Sequence, residues 1–175
     1  MYLLNYYKYQ SFLNYLKNKN ELEKHLNGDK FEPSIDGLTL LQEYVVSDPQ
    51  TITRVEFVNS KLLYAVQVDA TDGFELCPAD PCNLEEKYCP ANPDGNKFMI
   101  IKDYKNNEIS KYQSLIKSNR IEIAGIEYIK AKDGQHYTYD INTNTNYNSI
   151  AEKKSSLKGM QIIAKFLFDE LNLRV

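Results

Sequence analysis

Tryptophan is absent from this 175-residue chain, and cysteine (3), proline (6) and glycine (7) are scarce. So little glycine and proline excludes a collagen-like or low-complexity chain, and 42% apolar residues exclude wholesale disorder. Three cysteines are an odd number and too few for a disulfide scaffold, which predicts reduced thiols and a cytoplasmic setting. No apolar run approaches the ~18 residues that a membrane-crossing helix needs, so no membrane partner is expected. The opening MYLLNYYKYQ has neither a basic n-region nor a small-residue cleavage site and does not read as a secretory signal. Surplus positive charge is missing too: the net charge of −3 argues against a nucleic-acid partner held through phosphates. What is abundant is tyrosine, with 14 residues, alongside lysine and asparagine. The length of 175 residues suits one domain, or one lobe of something larger.

Phe12, Leu13, Leu16 and Leu22 fall on one helical stripe and Gly28 is a plausible stop, so residues 1–37 are expected to form an N-terminal helical segment. Residues 38–175 complete a single compact domain. A turn over Pro33–Gly37 leads into an apolar strand, Leu38–Val46, ended by Asp48-Pro49. Ile52–Val58 and Lys61–Asp69, separated by Asn59-Ser60, predict a hairpin. Thr71–Asn96 holds four of the six prolines and all three cysteines, and predicts a long irregular loop. A strand over Lys97–Ile101, a helix over Tyr104–Lys117 and two strands, Ile121–Ala131 and Gln135–Asn142, come next. The last helix, with Ser155 or Ser156 as its cap, carries Met160, Ile163, Ala164, Leu167, Phe168 and Leu171 on one face. The fold class is α+β: a mostly antiparallel sheet flanked by helices.

The densest chemical signal lies in the second hairpin. Asp133-Gly134 is a strong two-residue turn signal, because a type I′ turn needs positive φ at both central residues. That turn pairs Lys132 with Gln135, Ile129 with Thr138 and Glu127 with Asp140. Alternation then places Tyr137, Tyr139 and Ile141 on one face, and Thr138, Asp140 and Asn142 on the other with Glu127 and Gly125. Two carboxylates directly opposed destabilise a sheet unless something compensates, and Mg²⁺ prefers such oxygen donors. A competing reading is a solvated polar face whose acids pair with Lys130 or Lys132.

Four pieces, in chain order, resemble the C-terminal part of an ATP-grasp domain. They are Leu41-Gln42-Glu43-Tyr44-Val45, Thr53-Arg54-Val55-Glu56-Phe57 with Tyr64-Ala65-Val66 after it, Ala124-Gly125-Ile126-Glu127-Tyr128-Ile129, and Tyr139-Asp140-Ile141-Asn142. The nearest branch by resemblance is the carboxylate–amine ligases of the ribosomal-protein glutamate ligase and glutathione synthetase type. The resemblance implies that Glu127, Asp140 and Asn142 hold Mg²⁺ bridging ATP phosphates. It also implies that the backbone of Glu43, Tyr44 and Val45 recognises adenine, and that Arg54 sits beside phosphate or acyl-phosphate oxygens. Asn144, Asn146 and Asn148 read as a polar loop leading into the last helix, with Asn144 kept as a candidate phosphate or substrate contact. The implied reaction joins a carboxylate and an amine substrate through an acyl phosphate, with ATP as phosphoryl donor.

The sequence also departs from that family. About forty residues precede the hinge and hold no glycine-rich loop, no acid stands at Thr51–Thr53, and the chain has only Arg54, Arg120 and Arg174 as arginines. These gaps leave two alternatives: a nucleotide-binding lobe completed by a separate partner chain, or a non-catalytic module derived from that fold. A homo-oligomer is a further expectation, with the tyrosine-rich start as a contact. A zinc site on Cys77, Cys82 and Cys89 is the third hypothesis, although the C-x4-C-x6-C spacing matches no compact zinc knuckle. His136 reads as a polar strand residue on the face of Asp140, two pair-steps away.

Overall fold

The computed structural model describes residues 2–7, 11–29, 31, 33, 36–71, 98–145 and 147–173. They form two compact units, 1–46 and 47–175. The loop expected after Thr71, and with it the zinc site considered on Cys77, Cys82 and Cys89, lies outside the described residues. Among the described residues no helix is long and apolar enough to cross a membrane.

The first unit corrects the expectation of a helical start. Tyr2–Tyr7 (β1) and Ser11–Leu16 (β2) form an antiparallel hairpin, and only Lys19–Leu26 (α1) is helical. The runs YLLNYY and SFLNYL are rich in tyrosine and other β-favouring residues, and their apolar positions fit a two-residue period as well as a helical one. Helix begins where a cap is available: the Asn18 side chain accepts from Glu21 N at 3.0 Å. Thr39–Glu43 (β3) pairs with the other edge of β1, giving the order β2-β1-β3. Leu38–Val46 therefore goes with the N-terminal strands, not with the larger sheet of the second unit.

The second unit is built on five antiparallel strands in the order β6-β5-β4-β7-β8: Ser47–Val58 (β4), Lys61–Asp69 (β5), Phe98–Ile101 (β6), Ile123–Ala131 (β7) and His136–Asn142 (β8). Ile109–Ser118 (α2) packs on one face, and Ser149–Ser155 (α3) and Gly159–Asn172 (α4) close the chain. β4 runs through Asp48-Pro49, where a strand end was expected; Pro49 falls at the interruption of the β4–β7 ladder between Ser47 and Ile52, so no ladder bond is asked of it. Ser155 is the last residue of α3, and Ser156, at φ +61°, is its C-cap; neither caps α4, which Lys158 precedes. Most of the apolar stripe expected on α4 stands exposed, with Phe168 at 65% and Leu171 at 68%, while Ile163 is half-buried.

Period-two alternation divides this sheet. Val55, Phe57, Ala65, Ala124, Ile126 and Tyr128 form one buried cluster with Tyr112 and Ile116 of α2. The residues between them, Arg54, Glu56, Gly125 and Glu127, face the other way. Three of those four are charged.

The expected Asn59-Ser60 hairpin is present, with φ of 51° and 56° at its two central residues, the pattern of a type I′ turn. Ser60 holds that left-handed conformation against its own Cβ. Ser60→Gly should therefore raise unfolding stability by about 0.5–1 kcal/mol, measured as a shift of the urea midpoint at constant slope.

Candidate functional site

The β7–β8 turn is one residue longer than Asp133-Gly134 predicts. Gly134 N donates to Ala131 O at 2.9 Å, Ala131 N donates to Gln135 O at 2.9 Å, and only Gly134 has positive φ (+84°). That is a three-residue loop with glycine at its left-handed position, not a type I′ turn. Near the turn the register is accordingly shifted: Lys130↔His136, Ile129↔Tyr137 and Tyr128↔Thr138, where Ile129 was expected to face Thr138. A bulge between Glu127 and Tyr128 then adds one residue, Tyr139, to β8 and shifts the register back. From there Glu127 faces Asp140 and Gly125 faces Asn142, as the two-residue turn had placed them. Two one-residue departures cancel.

The bulge rearranges the faces around it. Thr138, expected beside Asp140, joins Tyr128 on the α2 side, its Oγ1 2.7 Å from Tyr112 Oη. His136 moves with it, its ring 4.6 Å from that of Tyr128 and its Nδ1 3.4 Å from Asn106 Nδ2, away from the Asp140 face. Tyr139, expected on the opposite face, comes to the acidic side and donates its hydroxyl to Glu127 Oε2 at 2.8 Å.

The ladders now stack two rows across four strands. One row runs Val66–Arg54–Glu127–Asp140 and the next Tyr64–Glu56–Gly125–Asn142. Arg54, Glu56 and Glu127 are buried, at 6%, 2% and 9% exposure. Arg54 Nε lies 2.6 Å from Glu56 Oε1, without the alignment of a hydrogen bond, and Arg54 Nη1 lies 3.5 Å from Glu127 Oε1. Gly125 makes the room: a Cβ there would stand 2.8 Å from Arg54 Nε and 3.0 Å from Glu56 Oε2. Tyr64 donates to Glu152 Oε1 at 2.7 Å, which puts a further acid behind the second row.

Burial sets the charge states. It pushes Glu56 up to about 7, against which Arg54 and then Thr145 act. Burial also raises Glu127, with the Tyr139 hydrogen bond and Arg54 opposing and Asp140 adding to the rise. Tyr139 is pushed well above the usual tyrosine range by burial and by the Glu127 charge, so its hydroxyl remains a donor.

Fit to a divalent cation is decided by the donors. Glu127 Oε1 accepts no hydrogen bond among the described residues, Asp140 is exposed, and Asn142 Oδ1 accepts only the Asn144 N–H at 2.8 Å. These are hard oxygens on neighbouring ladder positions, and one guanidinium stands against three carboxylates. No three His, Cys, Asp or Glu side chains among the described residues cluster as a metal set by themselves, so the third protein donor would be the Asn142 amide. The residues fit.

Glu43 ends β3 in the first unit, with Tyr44 and Val45 half-buried just after it. Asn144 is exposed at the end of β8. The sequence reading assigned Glu56 to no site and missed Tyr139 as a partner of Glu127. The signal for Glu56 was its two-residue spacing from Arg54. For Tyr139 the signal was a bulge that no local pattern announces.

No family model and no curated protein matches the sequence. Solved structures do match in fold. The ATP-grasp ligase PsnB complexed with minimal precursor superposes with a TM-score of 0.57 at 11% identity, over 95% of this chain and 46% of that one. The same ligase complexed with a phosphomimetic variant of minimal precursor, Mg and ADP gives 0.56 at 11% identity, over 97% and 46%. A Chryseobacterium gregarium RiPP-associated ATP-grasp ligase, in complex with ADP and a leader and core peptide, gives 0.53 at 14%, over 97% and 48%. The chain thus spans just under half the length of these proteins. Its fold is α+β and ATP-grasp-like, as the four sequence pieces implied.

Glu56 carries a testable consequence. Its folded value of about 7 stands above the ordinary 4.5, so between these pH values the folded protein keeps a proton that the unfolded chain has released. Stability should fall as pH rises across that window, by about 3 kcal/mol at most, and level off above it. Glu56→Gln cannot ionise and should flatten the slope. Urea midpoints at half-unit steps from pH 4.5 to 8, in both proteins, check this.

Proposed function

We propose that this chain is a Mg²⁺–nucleotide-binding lobe of an ATP-grasp carboxylate–amine ligase-like protein. The observation that supports it is the register of β7 and β8, which sets Glu127 against Asp140 and Asn142 one pair-step along despite a turn of unexpected length. In this reading Glu127, Asp140 and Asn142 hold the cation, which when bound neutralises phosphate oxygens and polarises the phosphorus for attack. Tyr139 fixes the Glu127 carboxylate by taking Oε2, leaving Oε1 toward the cation. Arg54 presents a guanidinium in the row beside Glu127, where its fork suits charge passing through an acyl phosphate. Asn142 and Asn144 shape the end of β8, and the backbone of Glu43, Tyr44 and Val45 takes the adenine edge. The reaction class is amide formation between a carboxylate and an amine through an acyl phosphate. Because the chain spans less than half of the ligases it matches in fold, turnover would need what their other half supplies, for which a separate partner chain is one source. A cytoplasmic setting is part of the same reading.

One observation favours a second reading, a non-catalytic interaction module of the same fold. Arg54 and Tyr139 already lie against the two oxygens of Glu127, as an internally satisfied structural cluster would have them.

The two are separated by thermal unfolding with ADP, with and without Mg²⁺. The first reading expects Mg–ADP at about a hundredfold excess over its Kd to stabilise the protein by about 2.7 kcal/mol. It further expects Asp140→Asn to lose the Mg²⁺-dependent part. No shift at millimolar Mg–ADP, or an Asp140→Asn protein that responds like the parent, would leave the module reading standing.

A further inference from the structure

We propose that Glu56 is a positioning residue for the cation site: it holds the Arg54 guanidinium off Glu127, so that Glu127 keeps an oxygen for the metal. This rests on the reading that Glu127, Asp140 and Asn142 hold a divalent cation.

Arg54 and Glu56 stand two residues apart on β4 and so share one face of the sheet. Arg54 is drawn by two acids at unequal range, 2.6 Å to Glu56 Oε1 and 3.5 Å to Glu127 Oε1. Neither contact is a well-directed hydrogen bond: Arg54 Nε and Nη2 and Glu56 Oε2 are buried without hydrogen-bond partners. The guanidinium is therefore held by charge, and once Glu56 is ionised, above about pH 7, the nearer charge is Glu56. Gly125, opposite Glu56 and two residues before Glu127 on β7, leaves the guanidinium the space that a side chain would take, so no β7 side chain stands between Arg54 and either acid. Asp140 lies one strand farther out, in the row of Glu127. With Glu56 neutralised, Glu127 becomes the nearest acid to Arg54. A closure of less than 1 Å from the present 3.5 Å makes a charge-assisted hydrogen bond to the one Glu127 oxygen that Tyr139 leaves open. A cation would then compete with an arginine for that oxygen. Glu56 prevents this by being the better partner.

Mn²⁺ serves as the probe, its affinity for the full chain measured by water-proton relaxation enhancement on the alkaline side of the Glu56 value of about 7, where Glu56 is ionised. Glu56→Gln keeps the shape and removes the charge, and should weaken Mn²⁺ binding about tenfold. Arg54→Gln combined with Glu56→Gln removes the competitor as well, and should return the affinity to within about twofold of the parent. Urea unfolding of each variant confirms that it is folded. A purely structural Glu56 would make the double variant bind as weakly as the single one or worse, which overturns the proposal, as does a single variant that binds like the parent. A parent chain that binds no Mn²⁺ overturns the cation reading itself, and this role falls with it.

Discussion

A single guanidinium buried among carboxylates in the middle of a sheet is the constraint around which the second unit is arranged. Charges on a central strand lose their water, and each must find a partner or shift its proton affinity. β4 supplies both partners by alternation, Arg54 and Glu56, and β7 supplies Glu127 directly across the ladder. The pair fits only because β7 carries glycine at position 125, since any Cβ there would enter the space that Arg54 and Glu56 occupy. The same alternation that sends these residues one way sends Val55, Phe57, Ala124 and Ile126 the other, into the cluster under α2. Charged face and dry core are therefore two sides of the same strands. The core fixes the strand positions on which the charged face relies.

Register connects that constraint to the edge of the sheet. A three-residue loop at Lys132–Gly134 alone would have set Glu127 opposite Tyr139 and turned the acids of β7 and β8 to opposite faces. The bulge repairs this and does something further. At a bulge, two residues of one strand oppose one of the other, so Glu127 has both Asp140 and Tyr139 on its side. A regular ladder would have offered the carboxylate and no hydroxyl. The bulge is thus what makes Glu127 a carboxylate with one oxygen held and one open.

Much of this was legible in the residues, and the failures have physical reasons. Asn59-Ser60 gave its hairpin because left-handed backbone at two successive positions leaves few alternatives. Glu127 opposite Asp140 was anticipated through an incorrect turn, and holds because a second irregularity offset the first. His136, Tyr137, Thr138 and Tyr139 run from the turn to the bulge, and those are the residues whose faces the sequence pattern misassigned. The first thirty residues misled for a different reason. Leu and Tyr at positions that suit both a 3.6-residue and a 2-residue period leave the decision to pairing partners, and β3, some thirty residues away, provided one. α4 shows the reverse case, a stripe that periodicity finds correctly and that stands mostly exposed in this chain.

Stability alone does not account for the composition of the charged rows. A buried ion pair is seldom better than apolar residues of similar volume, and one with an extra acid is worse, because the surplus charge is neither solvated nor matched. Here Arg54 answers Glu56 at close range, leaving Glu127 with its long contact to the same guanidinium and Asp140 with none among the described residues. The excess is of one sign and falls on the outer half of the row, toward the sheet edge and solvent. Burial answers part of it by raising the proton affinity of Glu56 and Glu127, which is the response of a site with no second cation. A divalent ion entering from the Asp140 side would answer the remainder without a proton, and would meet hard oxygen donors when it arrived. On the proposed reading that surplus, the second acid and the Glu127 oxygen that accepts no hydrogen bond, is what the ion would meet.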